Sequence, residues 1–217
     1  METRTALVAG ASGLVGGLLL DALLESPLYR EVCSLGRRPV SKQHPRLTQR
    51  TVDFARLEGE ALPATDDAFC CLGTTIKKAG SQEAFRAVDY DAVLAFAKAA
   101  RKAGARRFLV VTALGADAGS RMFYNRVKGE VEEALKGVGF EALVILRPSL
   151  LLGNRAESRP GEHAAIVVSR VLGPLLRPFG GRPIEARTVA RAMLTLARDT
   201  SAGVRVALSG ELQELGR

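Results

Sequence analysis

The sequence predicts a doubly wound parallel α/β sheet, and three observations predict it. Short, nearly continuous apolar runs alternate with longer segments of helical periodicity, the pattern of a sheet buried on both faces. The first run, residues 4–9, passes at once into Gly10-Ala-Ser-Gly13-Leu-Val-Gly16, a glycine turn that opens an apolar helix. Right-handed crossovers between successive strands then leave 3-2-1-4-5-6 as the default strand order.

The elements follow in chain order. The first strand covers residues 4–9 and the first helix residues 14–24. A second strand ends at Gly36, a short third covers residues 50–54, and a fourth covers 67–72 and ends at Gly73-Thr74-Thr75. One helix is expected over residues 81–103, stopped by Gly104. A fifth strand (107–112), a helix from 121 to 136 ending at Gly137 and a sixth strand (140–146) complete a Rossmann arrangement. The chain reads as one domain over 1–217, in which residues 149–217 form a small substrate or lid region. There, 153–161 is a polar loop over the site, 163–172 a short apolar helix and 173–183 irregular; Thr188 caps a helix to Arg198, and 204–208 is a last strand.

Composition bounds the function. The 217 residues can bury one core, and 47% apolar with 25% charged residues is ordinary for a globular protein. No apolar run approaches a membrane span, and no leader precedes the first strand. The three cysteines make neither a disulfide framework nor a metal cluster, and they suit a reducing cytoplasm. His44 and His163 lie far apart in polar segments, so no metal site is expected. The net charge of +8 is dispersed, aromatics are 5%, and no nucleic-acid-binding signature occurs. Late in the chain Arg155, Arg159, Arg170, Arg177, Arg182, Arg187 and Arg191 outnumber Glu157, Glu162 and Glu185. They either attract an anionic substrate or form a solvated surface.

The glycine turn is built to hold a dinucleotide pyrophosphate. Bare backbone at Gly10 and Gly13 lets phosphates approach, the first helical N–H groups and the helix dipole hold their charge, and Gly16 lets helix and strand pack closely. About twenty residues on, where a carboxylate would accept from a ribose 2′-hydroxyl, the chain has Arg37 and Arg38 and no acid. A guanidinium there pairs with a 2′-phosphate, which favours NADP(H) over NAD(H); the alternative is a pair of solvated loop arginines. Ligands of such sheets lie outside the carboxyl ends of the strands. Topology places along that edge Gly10, Ser12, Gly13, Leu14, Val15 and Gly16; Arg37, Arg38 and Asp53; Cys71, Leu72, Gly73, Thr74 and Thr75; Val111 and Thr112; and Pro148, Ser149 and Leu150. Asp53 either accepts from an adenine amino group or closes a turn.

The helix after the fifth strand carries Tyr124-Asn-Arg-Val-Lys128. An i,i+4 pair shares one helical face, so phenol and ammonium converge. Carbonyl reduction needs a proton donor beside the carbonyl oxygen, and a neighbouring ammonium draws the phenol towards working pH. The same lysine can hold the nicotinamide ribose. Thr112, ending the fifth strand, is expected to polarise the carbonyl.

Gly10-x-x-Gly13-x-x-Gly16, Tyr124-x-x-x-Lys128 and Arg147-Pro148-Ser149 resemble the short-chain dehydrogenase/reductase superfamily in its extended or atypical branch. Residues 69–75 (Phe-Cys-Cys-Leu-Gly-Thr-Thr), 113–117, 127–131 and 157–162 resemble more closely its oxidoreductase-like group, which includes the human Tat-interacting protein. The resemblance covers nearly the whole chain. It implies NADP(H) binding and Ser/Thr–Tyr–Lys roles for Thr112, Tyr124 and Lys128. The superfamily usually has serine where Thr112 stands. Three readings follow: an NADP(H)-dependent reductase of a small carbonyl or alcohol, a non-catalytic NADP(H)-binding regulator, and an epimerase or dehydratase that retains its cofactor. The expected partner is a small molecule rather than nucleic acid or membrane, in a pocket complete in a monomer or finished by a second copy.

Overall fold

The strand β1 (Arg4–Ala9) sorts its side chains onto two faces. Ala6 and Val8 enter one apolar cluster and Leu7 and Ala9 the other, the alternation a strand covered on both sides requires. The computed structural model describes residues 3–153 and 182–217. After β1 come α1 (Leu14–Glu25), β2 (Tyr29–Gly36), β3 (Leu47–Thr51), a 3-10 helix (Phe54–Gly59) and β4 (Asp67–Cys70). Then follow α2 (Ile76–Ala79), α3 (Gln82–Arg86), a π-helical segment (Ala87–Asp91) and α4 (Ala92–Lys102). β5 (Arg107–Val111), α5 (Phe123–Lys136) and β6 (Ala142–Arg147) lead to β7 (Leu151–Leu152). Beyond the undescribed stretch lie β8 (Ile184–Glu185), α6 (Ala186–Ala197), β9 (Gly203–Leu208) and α7 (Ser209–Leu215).

Among the described residues, seven strands form one sheet in the order β3-β2-β1-β4-β5-β6-β9, every neighbouring pair parallel. This is the expected Rossmann order, extended by β9 at one edge; β7 and β8 pair separately. On one face α1 and α6 cover the sheet, with Leu19 and Leu23 of α1 fully buried against Val189 and Met193 of α6. Burial of each such leucine contributes about 1.5–3 kcal/mol. On the other face α4 and α5 bring Phe96, Val131 and Leu135 onto Phe108, Leu143 and Ile145.

The amino ends of the strands are closed by a polar knot. Asp67, fully buried, lies 2.6 Å from Arg107 and 3.4 Å from Arg4, and accepts the Tyr29 hydroxyl at 2.7 Å. A buried charge held this way is structural, and it leaves the carboxyl ends of the strands for ligands.

Three expectations need correction, and a further set lies outside the described residues. The third strand lies earlier, at Leu47–Thr51, because the apolar Val52 and Phe54 belong to the 3-10 helix region that plugs the second core. The single helix over 81–103 is interrupted by the π segment. Thr188 lies inside α6, which begins at Ala186 after Glu185. The predicted loop over 153–161, helix over 163–172 and irregular run over 173–183 fall almost entirely outside the described residues, as do His163, Arg155, Arg159, Arg170 and Arg177.

Candidate functional site

Gly10 sits at φ +89°, a conformation glycine alone adopts freely, and a Cβ there would stand 2.5 Å from the Cys71 carbonyl. The Gly13 N–H donates to the Gly10 carbonyl at 2.9 Å, closing the turn. A Cβ at Gly16 would run into that same carbonyl, so α1 approaches β1 only because the residue is glycine. α1 then starts without a side-chain cap and without an acid in its first turn. Its leading amides lack intrahelical partners and face no competing carboxylate of their own helix. Leu14 and Val15 contribute backbone here; Val15 itself is in the core.

Beside the turn lies a cleft of about 670 Å³. Gly10, Ser12 and Gly13 line one side, Arg37, Arg38 and Asp53 another, and Cys71, Leu72 and Gly73 its floor. Arg37 and Arg38 are exposed, and among the described residues neither forms an ion pair. Asp53 caps the 3-10 helix, one oxygen accepting the Ala55 N–H at 3.0 Å. The cradle that a Cβ would fill, the uncapped helix start and the free guanidinium groups fit a phosphorylated dinucleotide.

The floor of the cleft runs into the second group of residues. A Cβ on Gly73 would lie 3.7 Å from Lys128 Nζ and 3.4 Å from Asp89 Oδ1. Lys128 is 5% exposed, and its Nζ lies 2.7 Å from Asp89 Oδ1. Burial alone would push the ammonium down, but Asp89 and Tyr124 outweigh it and hold Lys128 above its ordinary value. Tyr124 is half-buried, one turn before Lys128, with its ring 5.5 Å from that of buried Phe85. Asp89 points inward from the π segment. Phe85, Asp89 and Val93 are all buried and each is four residues from the next, the spacing of a single helical face. Asp89 Oδ2 also accepts the Thr74 N–H at 2.8 Å, and Thr75 caps α2.

Thr112 requires a correction. Its hydroxyl donates to Glu132 Oε1 at 2.6 Å and lies 3.3 Å from the Leu146 carbonyl, with the residue 6% exposed. Glu132 is in turn gripped by Arg147 through both carboxylate oxygens. The hydroxyl is held where β5, α5 and β6 meet, and Thr112 does not line the cleft, unlike the expected placement beside a substrate carbonyl. Val111 packs on the core beside it. Ser149 is committed likewise: its hydroxyl donates to the Arg182 carbonyl at 2.6 Å and accepts from Ser209 at 2.9 Å. The Pro148 carbonyl takes the Leu114 N–H, and Leu150 is exposed. The structure therefore joins the glycine turn, the arginines and the 71–73 segment in one cleft and sets Lys128 against Gly73; Tyr124 stands one turn before Lys128, outside the cleft lining, as do Thr112 and Ser149.

Three buried residues of this region were not anticipated. Asp89 stands four residues from both Phe85 and Val93, on the apolar face of its stretch. Glu132 likewise shares one face with Tyr124 and Lys128, spaced four apart. Phe85, which packs on Tyr124, read only as core.

Comparison with known proteins agrees with this geometry. A family model described as "NAD(P)H-binding" matches residues 10–200. Protein HTATIP2 of Rattus norvegicus is 38% identical over 200 residues, covering 89% of this chain and 81% of its own. Protein FMP52, mitochondrial, of Eremothecium gossypii is 35% identical over 217 residues, covering 97% and 96%. An oxidoreductase of the short chain dehydrogenase/reductase family from Burkholderia thailandensis superposes with a TM-score of 0.71 at 18% identity, covering 98% of this chain and 94% of that one. Several relatives are named mitochondrial, which overturns the cytoplasmic location expected from the cysteines. Free thiols persist in any reducing compartment, so cysteine usage never separated the two.

Proposed function

The chain belongs to the NAD(P)H-binding family, as an atypical short-chain dehydrogenase/reductase resembling HTATIP2 that takes a nicotinamide cofactor, and from that premise we propose that it is an NADP(H)-dependent oxidoreductase of a small carbonyl or alcohol. One observation carries the reading. The segment Cys71-Leu72-Gly73 touches the Gly10 turn at one end and the Lys128–Asp89 pair at the other. A single short stretch of backbone thus spans the phosphate cradle and the helix bearing Tyr124.

Each group has a task in this proposal. The amides of Leu14 and Val15 and the α1 dipole hold the pyrophosphate. Arg37 and Arg38 take the 2′-phosphate, and Asp53, whose second oxygen lies 3.9 Å from Arg56 Nε, faces the adenine end of the cleft. When bound, the nicotinamide supplies or accepts the hydride. Tyr124 gives its phenolic proton to the substrate oxygen as that oxygen gains charge, and the reverse reaction returns it. Lys128, kept charged by Asp89, steadies the negative charge left on the Tyr124 oxygen and donates to the cofactor ribose. Phe85 fixes the ring from which the proton leaves.

The test is NADPH oxidation with a panel of aldehydes and ketones. Tyr124→Phe is expected to lower kcat by about 10²-fold or more while NADPH affinity holds, because a positioned proton donor is worth about 10²–10⁴. Turnover that survives Tyr124→Phe rejects the mechanism. Tight NADPH binding with no turnover across the panel favours a non-catalytic, cofactor-responsive protein instead.

A further inference from the structure

Buried carboxylates are rare and must be paired or bonded. Asp89 is fully buried, and it lies in the π segment that interrupts an otherwise helical stretch. Such segments cluster at functional sites. The two oxygens of Asp89 serve different elements. Oδ2 accepts the Thr74 N–H at 2.8 Å, in the loop after β4. Oδ1 stands 2.7 Å from Lys128 Nζ on α5, at an angle that leaves it without a well-aligned hydrogen bond. Gly73, on the cleft floor, lies against both Oδ1 and Nζ, and any side chain there would press on the pair.

A residue that only closed the loop could be asparagine, whose amide oxygen accepts from Thr74 equally well. The carboxylate adds a charge, and the groups facing Lys128 show why one is needed. From the π segment comes Asp89, from α5 Tyr124 and from β4 Cys70; only Asp89 carries a carboxyl group. Without it, an ammonium 5% exposed would have no formal counter-charge among these neighbours. Desolvation would then favour the neutral amine, which has lost one of its three donors.

We infer that Asp89 is a positioning residue that couples the Gly73–Thr75 loop to Lys128, holding the loop amide with one oxygen and fixing the place and charge of the lysine with the other, so that a nucleotide seated on the loop meets an ammonium already set in position. The inference rests on the proposed role of Lys128 towards the nucleotide. It does not need turnover, so it can fail while the oxidoreductase reading stands, and the reverse also holds.

Two readouts test it. The first is the ¹³Cε resonance of Lys128 in the free protein, titrated with pH. In Asp89→Asn its midpoint should fall by at least about one pH unit, the size of effect a close opposite charge exerts. The second is NADPH affinity, followed by nucleotide fluorescence between pH 7 and pH 9.5. In Asp89→Asn the ratio of Kd at the higher pH to Kd at the lower should rise about twofold above the wild-type ratio where the midpoint falls to the upper pH, since a group at its midpoint is half charged. Lys128→Met removes the group through which Asp89 acts. Asp89→Asn added to Lys128→Met should therefore change NADPH affinity less than about twofold, because effects routed through one residue are not additive. The double variant buries no unpaired ammonium, so it keeps the comparison usable if Asp89→Asn alone does not fold. An unmoved Lys128 midpoint, a pH-independent weakening in Asp89→Asn, or a further tenfold loss in the double variant would each overturn the proposal.

Discussion

The Thr112 hydroxyl donates to Glu132 Oε1 across 2.6 Å, with both residues buried. A hydroxyl so placed braces the strand ends, and Thr112 does not line the cleft. Thr112→Val keeps the shape and removes the donor. It is expected to leave kcat within about threefold, whereas losing a donor to the developing oxyanion costs about 10²–10³-fold. Stability should drop by about 1–3 kcal/mol, since Glu132 keeps Arg147 but loses one buried partner. Steady-state kinetics and urea unfolding on one preparation check both halves. A hundredfold loss of kcat at unchanged NADPH affinity would return Thr112 to the catalytic set.

Arg37 lines the cleft, is exposed and forms no ion pair among the described residues, so its charge is open to a ligand. Arg37→Ala should weaken NADPH by about 10–100-fold, the worth of a hydrogen bond to a charged group at about 1.5–3 kcal/mol. NADH, which has no 2′-phosphate, should change by less than about threefold. Because the chain has no tryptophan, protein emission barely masks bound nucleotide, and both affinities can be read by titration. An equal fall for the two nucleotides would remove the phosphate assignment.

How far the sequence could be read depended on whether the deciding contacts were local. β1, β5 and β6 are covered on both faces and announce themselves as apolar runs. β3 is an edge strand with mostly exposed positions, so the apolar pair Val52 and Phe54 drew the expected strand past its true end. The glycine turn and the Tyr124–Lys128 pair were legible because each acts at fixed short spacing within one element. Asp89 was not, since the groups it serves, Thr74 and Lys128, come from other elements of the chain. Thr112 misled for a related reason. The group that claims its hydroxyl is Glu132, which shares a helical face with Tyr124 and Lys128 but meets Thr112 and Arg147 only across separate elements.

Burial pushes the Cys70 thiol up to about 12 from its ordinary 9.0, and burial raises Cys33 and Cys71 as well. A folded value above the unfolded one means that the unfolded chain loses its proton first as pH rises. The contribution is thus intact below about pH 9 and is lost progressively as pH climbs towards the folded value, at no more than about 1.4 kcal/mol per pH unit for one thiol. Cys70→Ala should flatten part of that decline in a urea series between pH 9 and pH 11. Because the thiolate is the nucleophile, iodoacetamide at pH 8 should leave Cys70 unlabelled in the folded protein and label it in urea, as read by peptide mass spectrometry. Labelling of folded Cys70 at the rate of an unhindered thiol would contradict its burial.

Gly10 and Gly80 share a backbone angle of φ +89° and differ in what surrounds them. A Cβ on Gly80 meets nothing within 4 Å, so Gly80→Ala pays only for the left-handed conformation, about 1–2 kcal/mol. A Cβ on Gly10 would stand 2.5 Å from the Cys71 carbonyl carbon and 2.8 Å from the Leu72 nitrogen. That backbone cannot yield cheaply, because the Cys71 N–H is bonded to the Ala9 carbonyl at 2.8 Å within the sheet. The turn must move instead, which breaks the bond from the Gly13 N–H to the Gly10 carbonyl and displaces the start of α1 from the phosphate position. Gly10→Ala should therefore weaken NADPH and NADH alike by about 10²-fold, the scale a misplacement of about 1 Å can reach. Gly80→Ala should lower the unfolding midpoint and leave both affinities unchanged. The paired comparison separates conformational strain from loss of the cradle: normal nucleotide binding by Gly10→Ala, or equal weakening by Gly80→Ala, would mean that the glycine turn does not hold the pyrophosphate.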